Sequence, residues 1–214
     1  MKINLLVGGP IENYPERLLE KRGQDELWVG ADKGAVRLCE AGIKPILSIG
    51  DFDSSTNRER YLVDVMSREV MTSVPEKDDT DTESAVQTAA ELGAEEIHIV
   101  GGTGSRLDHM LANVYLLGLL REEGISAYLV DAHNRVQVID QRTVIKRETQ
   151  YGKYVSLLPF MGAVEGITLK GMKYPLEDYI LDHCHSIGIS NEITGEQAEI
   201  EFRTGRLIVI ESKD

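Results

Sequence analysis

The sequence has few of the residues that mark a zinc site, a disulfide framework or a membrane span. Its two cysteines, Cys39 and Cys184, are far apart and have no metal-ligand spacing. We therefore expect buried thiols in a reducing compartment. The five histidines also lack the paired spacing of a zinc site. No apolar run approaches the roughly 20 residues that a membrane span needs, and the first residues suit a strand better than a signal peptide. We expect a cytoplasmic protein with no membrane partner.

Basic residues are outnumbered as well. The 214 residues include 36 acidic and 23 basic side chains, which gives a formal charge of −13. This balance argues against a nucleic acid partner, because such surfaces need an excess of cations near the phosphates. It suits a cationic or metal-chelated small substrate, although a solvated acidic surface is the commoner reason for such a charge.

The common motifs of nucleotide-binding proteins and hydrolases are absent too. The sequence contains no Gly-x-x-x-x-Gly-Lys-Ser/Thr loop and no Gly-x-Ser-x-Gly motif. The Rossmann pattern Gly-x-Gly-x-x-Gly also fails, because Ser105, Arg106 and Leu107 follow Gly102 and Gly104. These absences argue against a P-loop NTPase, a Rossmann dehydrogenase and a serine hydrolase with a nucleophile elbow.

Short apolar runs and helical patterns alternate over the first 130 residues. The strands are predicted at 3–7, 27–31, 46–49, 69–73, 97–100 and 127–130, and the helices at 15–21, 33–41, 56–67, 82–92 and 108–122. This alternation predicts an α/β domain over residues 1–133, with a mostly parallel sheet covered by helices on both faces.

Strand patterns alone follow from residue 134. They lie at 136–139, 143–146, 154–159, 164–169, 186–189, 199–203 and 206–210. Thr204-Gly205 between the last two runs predicts a hairpin. Residues 134–214 are therefore expected to form a small all-β domain, either a sandwich or a barrel.

An acidic loop follows the predicted strand at 46–49. It reads Gly50-Asp51-Phe52-Asp53-Ser54, and the run Asp78-Asp79-Thr80-Asp81 adds further carboxylates. Carboxylates at the carboxyl end of a strand can converge on a ligand, and oxygen ligands without Cys or His favour Mg²⁺. Taken alone, the first loop is as readily explained by Asp residues that cap the next helix.

A second loop, Gly101-Gly102-Thr103-Gly104, follows the strand at 97–100. Glycines let the backbone approach a phosphate, the next helix offers free N–H groups, and Arg106 can add a fork of donors. A tight turn is the alternative. His109 and Asn113 lie four residues apart on the next helix, where they either reach one ligand or make local structural contacts.

Together, these loops resemble the ordered motifs of the thiamin pyrophosphokinase family. The motifs are Gly-Ala-Asp-Lys-Gly at 30–34, Gly-Asp-Phe-Asp-Ser at 50–54, Lys-Asp-Asp-Thr-Asp at 77–81, Gly-Gly-Thr-Gly-Ser-Arg-Leu-Asp-His at 101–109 with Asn113, and Gly-Ile-Ser-Asn at 188–191. The resemblance implies transfer of a pyrophosphoryl group from ATP to thiamin, with Mg²⁺, by a homodimer whose active sites lie at the subunit interface.

The resemblance also implies roles for individual residues. Asp51, Asp53 and Asp81 match metal-binding and catalytic carboxylates, with Asp81 the candidate base. Those expected at the nucleotide are Asp32, Lys77, Gly102, Gly104, Arg106, Asp108, His109 and Asn113, and those expected at thiamin are Asp79, Ser190 and Asn191.

Two departures from the family pattern concern single residues. Lys33 stands where many relatives have Gly, which leaves its contact with the nucleotide open. The only tryptophan is Trp28, so no tryptophan follows Asn191, and the stacking on thiamin that some relatives use must be made differently or be absent.

Two alternatives to this function stay open. One is another Mg²⁺-dependent phosphoryl or nucleotidyl transferase, and the other is a non-catalytic nucleotide-binding regulatory protein. The acidic residues argue against the second, because converging carboxylates repel one another without a metal.

Overall fold

Strands and helices alternate in the first part of the chain, and strands dominate the second. The structure is a computed structural model that describes residues 1–20, 26–72, 80–182 and 186–214. The chain divides into two units, Met1–Ala132 and His133–Asp214. The predicted fold class, α/β followed by all-β, is confirmed. None of the helices in these residues is long and apolar enough to cross a membrane.

A parallel sheet forms the centre of the first unit. Its strand order is β6-β5-β1-β2-β3-β4, and each neighbouring pair is parallel. Apolar side chains of β1 and β5 are fully buried, as expected where helices cover both faces. The strands are β1 (Lys2–Leu6), β2 (Leu27–Ala31), β3 (Leu47–Gly50), β4 (Val70–Thr72), β5 (Glu96–Val100) and β6 (Ser126–Val130).

The helices of this unit begin and end at recognisable signals. Thr56 caps α2 through the backbone N–H of Glu59, and the Glu59 side chain accepts from Thr56 in return. Gly124, with a φ of 81°, follows the end of α4. The helices are α1 (Lys33–Glu40), α2 (Asn57–Met66), α3 (Asp81–Glu91) and α4 (Leu107–Glu122), and a short 3-10 helix spans Ile11–Asn13.

The helix predicted at 15–21 is wrong over its described residues. Residues 16–20 form a turn, in which Leu18 donates to the Pro15 carbonyl at 3.1 Å and Glu20 donates to that of Arg17 at 3.1 Å. Such a short segment is a poor helix nucleus without packing to support it. Lys21 lies outside the described residues.

The second unit is a β-sandwich rather than a barrel. One sheet has the order β12-β9-β14-β7 and the other β11-β10-β13-β8, and their buried side chains form one core that includes Leu157, Ile167, Ile200 and Val209. The strands are β7 (Asn134–Ile139), β8 (Thr143–Lys146), β9 (Tyr154–Pro159), β10 (Val164–Lys170), β11 (Leu176–Leu181), β12 (Asn191–Glu192), β13 (Gln197–Glu201) and β14 (Leu207–Ser212).

Two local predictions fail in this unit, and two strands, β11 and β12, were missed. The hairpin predicted at Thr204-Gly205 is wrong, because β13 pairs with β8 and β10 whereas β14 pairs with β7 and β9 of the other sheet. Residues 187–190 form a turn instead of the strand predicted at 186–189. Strand β11 escaped prediction because Leu176-Glu177-Asp178-Tyr179-Ile180-Leu181 does not alternate between apolar and polar residues.

Candidate functional site

A cleft opens in the first unit where the strand order reverses between β5 and β1. Loops from the carboxyl ends of these strands, and of β2 and β3, form its walls, which is where open α/β sheets bind ligands. Its volume is about 660 Å³. It is lined by predicted site residues, namely Asp32, Asp51, Asp81, Gly102, Gly104, Arg106, His109 and Asn113, and by others that were not predicted, including Gly8, Gly9, Pro10 and Arg37.

Two glycine-rich loops meet at the floor of the cleft. The backbone N–H of Gly9, after β1, donates to the carbonyl of Gly101, after β5, at 2.9 Å. A Cβ on Gly9 would overlap that carbonyl and lie 2.8 Å from the Thr103 carbonyl oxygen. Only a residue without a side chain allows this contact, so the β1 loop is as much a part of the cleft as the predicted loop.

The side chain of Asn113 holds the predicted glycine loop through a hydrogen bond. Its Nδ2 donates to the Gly102 carbonyl at 2.8 Å, and the residue is only 6% exposed. A Cβ on Gly102 would lie 2.9 Å from the same nitrogen. Of the two interpretations from sequence, the structure shows the local contact, because the amide is used to hold the loop.

Three carboxylates line the cleft. Asp32 follows β2 and precedes α1, Asp51 follows β3, and Asp81 opens α3 after the capping residue Thr80. A Cβ on Gly50 would overlap Asp32 Oδ1, so the glycine leaves room for that carboxylate. The Oδ1 atom of Asp51 accepts a hydrogen bond from the Asp53 backbone N–H at 2.9 Å, which shapes the acidic loop.

Asp53 is at the outer side of this loop. Its Oδ1 atom lies 3.3 Å from Arg60 Nη2, and Arg60 also donates to the Phe52 carbonyl at 2.7 Å. Within the described ranges, no three Asp, Glu, His or Cys side chains lie close enough to hold a metal ion between them. Asp51, Asp53 and Asp81 therefore do not form a ready-made metal cluster, and their roles stay a prediction.

The donor set of the cleft still suits Mg²⁺ that arrives with a nucleotide. Asp51 and Asp81 both line the cleft, and Mg²⁺ typically takes one or two protein carboxylates while phosphate oxygens and water fill the other positions. A complete protein cage is not needed for this mode of binding. The residues present therefore fit the metal.

Cationic side chains from α1, as well as Arg106, line the cleft. Lys33 and Arg37 lie four residues apart on this helix, and both line the cleft. Arg37 donates to the Gly9 carbonyl and to the Tyr14 hydroxyl, and its guanidinium lies 5.5 Å from the centre of the Tyr14 ring. Burial raises the pKa of Tyr14, so the phenol keeps its proton beside the arginine.

Arg106 and Asp108 form an exposed pair at the start of α4. Their Nη2 and Oδ2 atoms are 2.5 Å apart, and Asp108 also accepts from the His109 backbone N–H at 3.0 Å. The hydrogen bond from Arg106 is the main reason that the pKa of Asp108 falls to about 2. Arg106 and His109 line the cleft. Asp108 affects the cleft through its ion pair with Arg106.

The residues predicted at thiamin divide between described and undescribed segments. Asn191 is buried and accepts from the Tyr174 backbone N–H at 2.9 Å, whereas Ser190 donates its backbone N–H to Ser156 Oγ at 2.9 Å. Both therefore make structural contacts within the second unit. Lys77, predicted at the nucleotide, and Asp79, predicted at thiamin, lie outside the described residues.

Fold and cleft together define a class: an α/β protein with a strand-end cleft suited to phosphate and Mg²⁺, followed by a β-sandwich. Residues 19–129 match the model of the thiamin pyrophosphokinase catalytic domain, and residues 142–207 match that of the thiamin pyrophosphokinase vitamin B1 binding domain. The chain belongs to the thiamin pyrophosphokinase family.

Individual relatives agree with this assignment over the full length. The chain is 35% identical to thiamine pyrophosphokinase of Bacillus subtilis (strain 168) over 212 residues, which are 99% of either chain. The crystal structure of thiamine pyrophosphokinase from Bacillus subtilis superposes with a TM-score of 0.90 at 34% identity and covers all of both chains. That of thiamin pyrophosphokinase from Geobacillus thermodenitrificans gives a TM-score of 0.86 at 34% identity and covers 100% of this chain and 98% of the other.

Proposed function

We propose that the chain transfers the pyrophosphoryl group of ATP to the hydroxyl of thiamin and releases thiamin diphosphate and AMP. The observation that carries this proposal is the cleft at the strand-order reversal, where two glycine loops, Lys33, Arg37 and the carboxylates of Asp51 and Asp81 face one space. Membership of the thiamin pyrophosphokinase family selects the reaction among those that such a cleft can support.

The glycine loops and cations account for binding of the triphosphate. Backbone at Gly9 and Gly102 can approach phosphate oxygens without a side chain between them, and Arg37 and Lys33 supply charge from the adjacent helix. Arg106, at the opening of α4, adds a third cation. Three cations offset the charge that makes the β-phosphorus a poor electrophile for an alcohol.

Asp51 and Asp81 are the residues that would hold Mg²⁺. When bound, Mg²⁺ neutralises phosphate charge and aligns the triphosphate. The transfer itself forms a bond between the thiamin hydroxyl oxygen and the β-phosphorus and breaks the bond between that phosphorus and the oxygen of AMP. Asp81 is the candidate to accept the hydroxyl proton.

A homodimer in the cytoplasm, with active sites at the subunit interface, completes the proposal. The dimer is supported by an exposed apolar stripe on α4. Four side chains at intervals of four residues are each more than half exposed, namely Leu107, Leu111, Tyr115 and Leu119. The same helix opens at the cleft through Arg106 and His109. A second copy packed on this stripe would therefore border the cleft.

The product of ATP tests the reaction directly. The protein is incubated with ATP, Mg²⁺ and thiamin, and the nucleotides are separated by chromatography; we expect AMP and thiamin diphosphate in equal amounts. ADP with thiamin monophosphate would indicate a simple kinase instead. Absence of any thiamin-dependent nucleotide product would favour a binding protein, and omission of Mg²⁺ is expected to abolish turnover.

A further inference from the structure

The acidic loop at 50–54 has a strained residue at its centre. Phe52 adopts a φ of 53°, a left-handed conformation that costs free energy in a residue with a Cβ. Its side chain is buried in a cluster that also contains Ala35, Val36, Cys39 and Val63. Strain of this kind persists only where the surrounding structure over-determines the conformation. The contacts that hold this loop therefore decide where its carboxylates point.

Arg60 reaches the loop from α2 and contacts its backbone at two residues. Its Nε and Nη2 atoms donate to the Phe52 carbonyl at 3.1 Å and 2.7 Å, and Nη2 donates to the Asp51 carbonyl at 3.4 Å. The same Nη2 lies 3.3 Å from Asp53 Oδ1. One guanidinium thus contacts all three residues of Asp51-Phe52-Asp53, with a rigid fork of donors that a lysine ammonium lacks.

Helix stability does not explain an arginine at this position. Arg60 is the fourth residue of α2, close to the positive end of the helix dipole, where acidic side chains are favoured. The helix is already capped by the reciprocal contacts of Thr56 and Glu59. Side chains of a helix lean toward its N-terminus, which directs Arg60 back onto the loop that precedes the helix. Its contacts with that loop account for its place.

The clamped loop carries Asp51, which lines the cleft. The Asp51 carboxylate accepts from the Asp53 N–H at 2.9 Å, and the Ser55 N–H donates to the Phe52 carbonyl at 2.9 Å. These hydrogen bonds fix the direction of the Asp51 side chain only while the backbone of the loop keeps its shape. Mg²⁺ demands nearly ideal octahedral geometry, so a carboxylate with a variable direction would be a poor ligand.

We propose that Arg60 is a positioning residue for magnesium binding, which holds the acidic loop in the conformation that directs Asp51 into the cleft. The inference rests on the proposed function, in which Asp51 would hold Mg²⁺. It assigns to Arg60 an effect that passes through the carbonyls of Asp51 and Phe52. Groups that orient a metal ligand in this way affect metal affinity strongly although they do not touch the metal.

Binding of an inert nucleotide tests the role without turnover. The probe is α,β-methylene ATP, in which carbon replaces the oxygen whose bond the reaction would break, and calorimetry gives its Kd with Mg²⁺ and with EDTA. In Arg60→Ala the Kd with Mg²⁺ should rise at least about tenfold, the usual effect of losing a group that orients a metal ligand. The Kd with EDTA should stay the same, because the glycine loops and Arg37 still face the phosphates.

Turnover gives a second measurement. The Mg²⁺ concentration that gives half-maximal AMP formation should rise at least about tenfold in Arg60→Ala. The thiamin KM should not change, and most of the wild-type kcat should return at saturating Mg²⁺, because the metal ligands themselves are intact. A lower half-maximal concentration would show that Arg60 competes with the metal for the acidic loop, and the proposal would be wrong.

Two further variants separate geometry from charge. Arg58→Ala removes an exposed arginine from the same turn of α2 and changes the net charge equally, so it should leave both magnesium measurements at wild-type values. Arg60→Lys keeps the charge without the fork and should recover only part of the loss. Full recovery in Arg60→Lys would show that charge alone suffices and that the contacts with the carbonyls do not matter.

Hydrogen exchange reports on the loop in the absence of metal and nucleotide. The amide hydrogens of Asp53 and Ser55, whose acceptors lie in the loop, should exchange faster in Arg60→Ala than in the wild type, whereas those of β3 should not change. The Arg60 side chain is 45% exposed, so its removal leaves no buried cavity, and circular dichroism should show a folded variant. Unchanged exchange in the loop would contradict the clamp.

The two proposals fail in different ways. If Mg²⁺ does not strengthen binding of the nucleotide to the wild type, or the wild type forms no AMP, the proposed function fails and the role of Arg60 fails with it. If the wild type shows both properties and folded Arg60→Ala keeps the wild-type Kd with Mg²⁺, the function stands and Arg60 does not position the loop.

Discussion

At the scale of single residues, the cleft depends on an arginine that no motif from the sequence singles out. Arg37 is half-buried, and the Gly9 carbonyl and the Tyr14 hydroxyl hold its guanidinium beside the floor of the cleft. Tyr14 is itself fastened, because its hydroxyl donates to the Val7 carbonyl at 3.2 Å. This chain of contacts fixes a positive charge where the glycine loops meet, which is where a phosphate would lie.

Arg37→Ala is therefore expected to weaken nucleotide binding. The Kd of a fluorescent ATP analogue and the ATP KM should each rise at least tenfold, because a charge-assisted hydrogen bond is lost. Arg37→Lys should recover part of the effect, since it keeps the charge but not the fork. The control is Arg58→Ala, which removes an exposed arginine from α2. Equal Kd values for the two alanine variants would contradict the role of Arg37.

The carboxylates offer a second comparison between residues of one type. Asp81 lines the cleft, whereas Asp53 forms an ion pair with Arg60 at the outer side of the acidic loop. We expect Asp81→Asn to lower kcat by at least about a hundredfold, as loss of a metal ligand or base does. Asp53→Asn should cost less than about tenfold. Rapid-quench measurement of AMP gives both values, and a larger loss at Asp53 would reverse the assignment.

At the scale of elements, local sequence predicts single helices and strands better than it predicts how they are arranged. Residues 27–31 were predicted as a strand and form β2, and α2 lies within its predicted span of 56–67, because periodicity and caps are local signals. The acidic and glycine loops were found in the same way. Gly9 and Arg37 escaped notice, because their place in the cleft depends on β1 lying between β5 and β2. Strand order is set by long-range packing, and no short motif records it. The hairpin predicted at Thr204-Gly205 failed for the same reason, because long-range packing places β13 and β14 in different sheets.

A buried ion pair joins two neighbouring strands of the second unit. Arg135 on β7 lies opposite Glu211 on β14, with 2.6 Å between Nη2 and Oε1, and Glu211 is only 1% exposed. The Tyr151 N–H donates to the other carboxylate oxygen at 2.8 Å. Removal of the arginine would leave a buried carboxylate without its cation, which is costly even though the intact pair adds little net stability.

Arg135→Ala is accordingly expected to lower the free energy of unfolding by about 3 kcal/mol. Urea denaturation followed by circular dichroism measures the change. Arg142→Ala provides the matched control, because Arg142 pairs with Glu199 and Glu201 in solvent and exposed pairs contribute little. Similar shifts in midpoint for both variants would show that burial of Glu211 does not decide the cost.

At the scale of the whole molecule, α4 has two apolar faces, and among the described residues one is buried and the other is exposed. Leu116, Leu117 and Leu120 are buried, whereas Leu107, Leu111, Tyr115 and Leu119 are exposed along roughly 18 Å of helix. Packing in the core explains only the first face. A continuous apolar stripe on a surface marks an interaction site, and a two-fold pair of such helices buries the stripe of each copy against the other.

The double variant Leu111→Glu, Leu119→Glu is expected to convert a dimer into monomers. Light scattering after size exclusion should give twice the 23.8 kDa chain mass for the wild type and the single mass for the variant. Like charges facing each other across the two-fold axis supply the repulsion. Tyr61→Glu, on the exposed surface of α2, should leave the dimer intact. A monomeric wild type would remove the homodimer from the proposal, whereas a variant that stays dimeric would place the interface elsewhere.

Because α4 begins at the cleft, the double variant should also raise the KM for ATP or thiamin. An unchanged KM in a proven monomer would show that each cleft works without its partner.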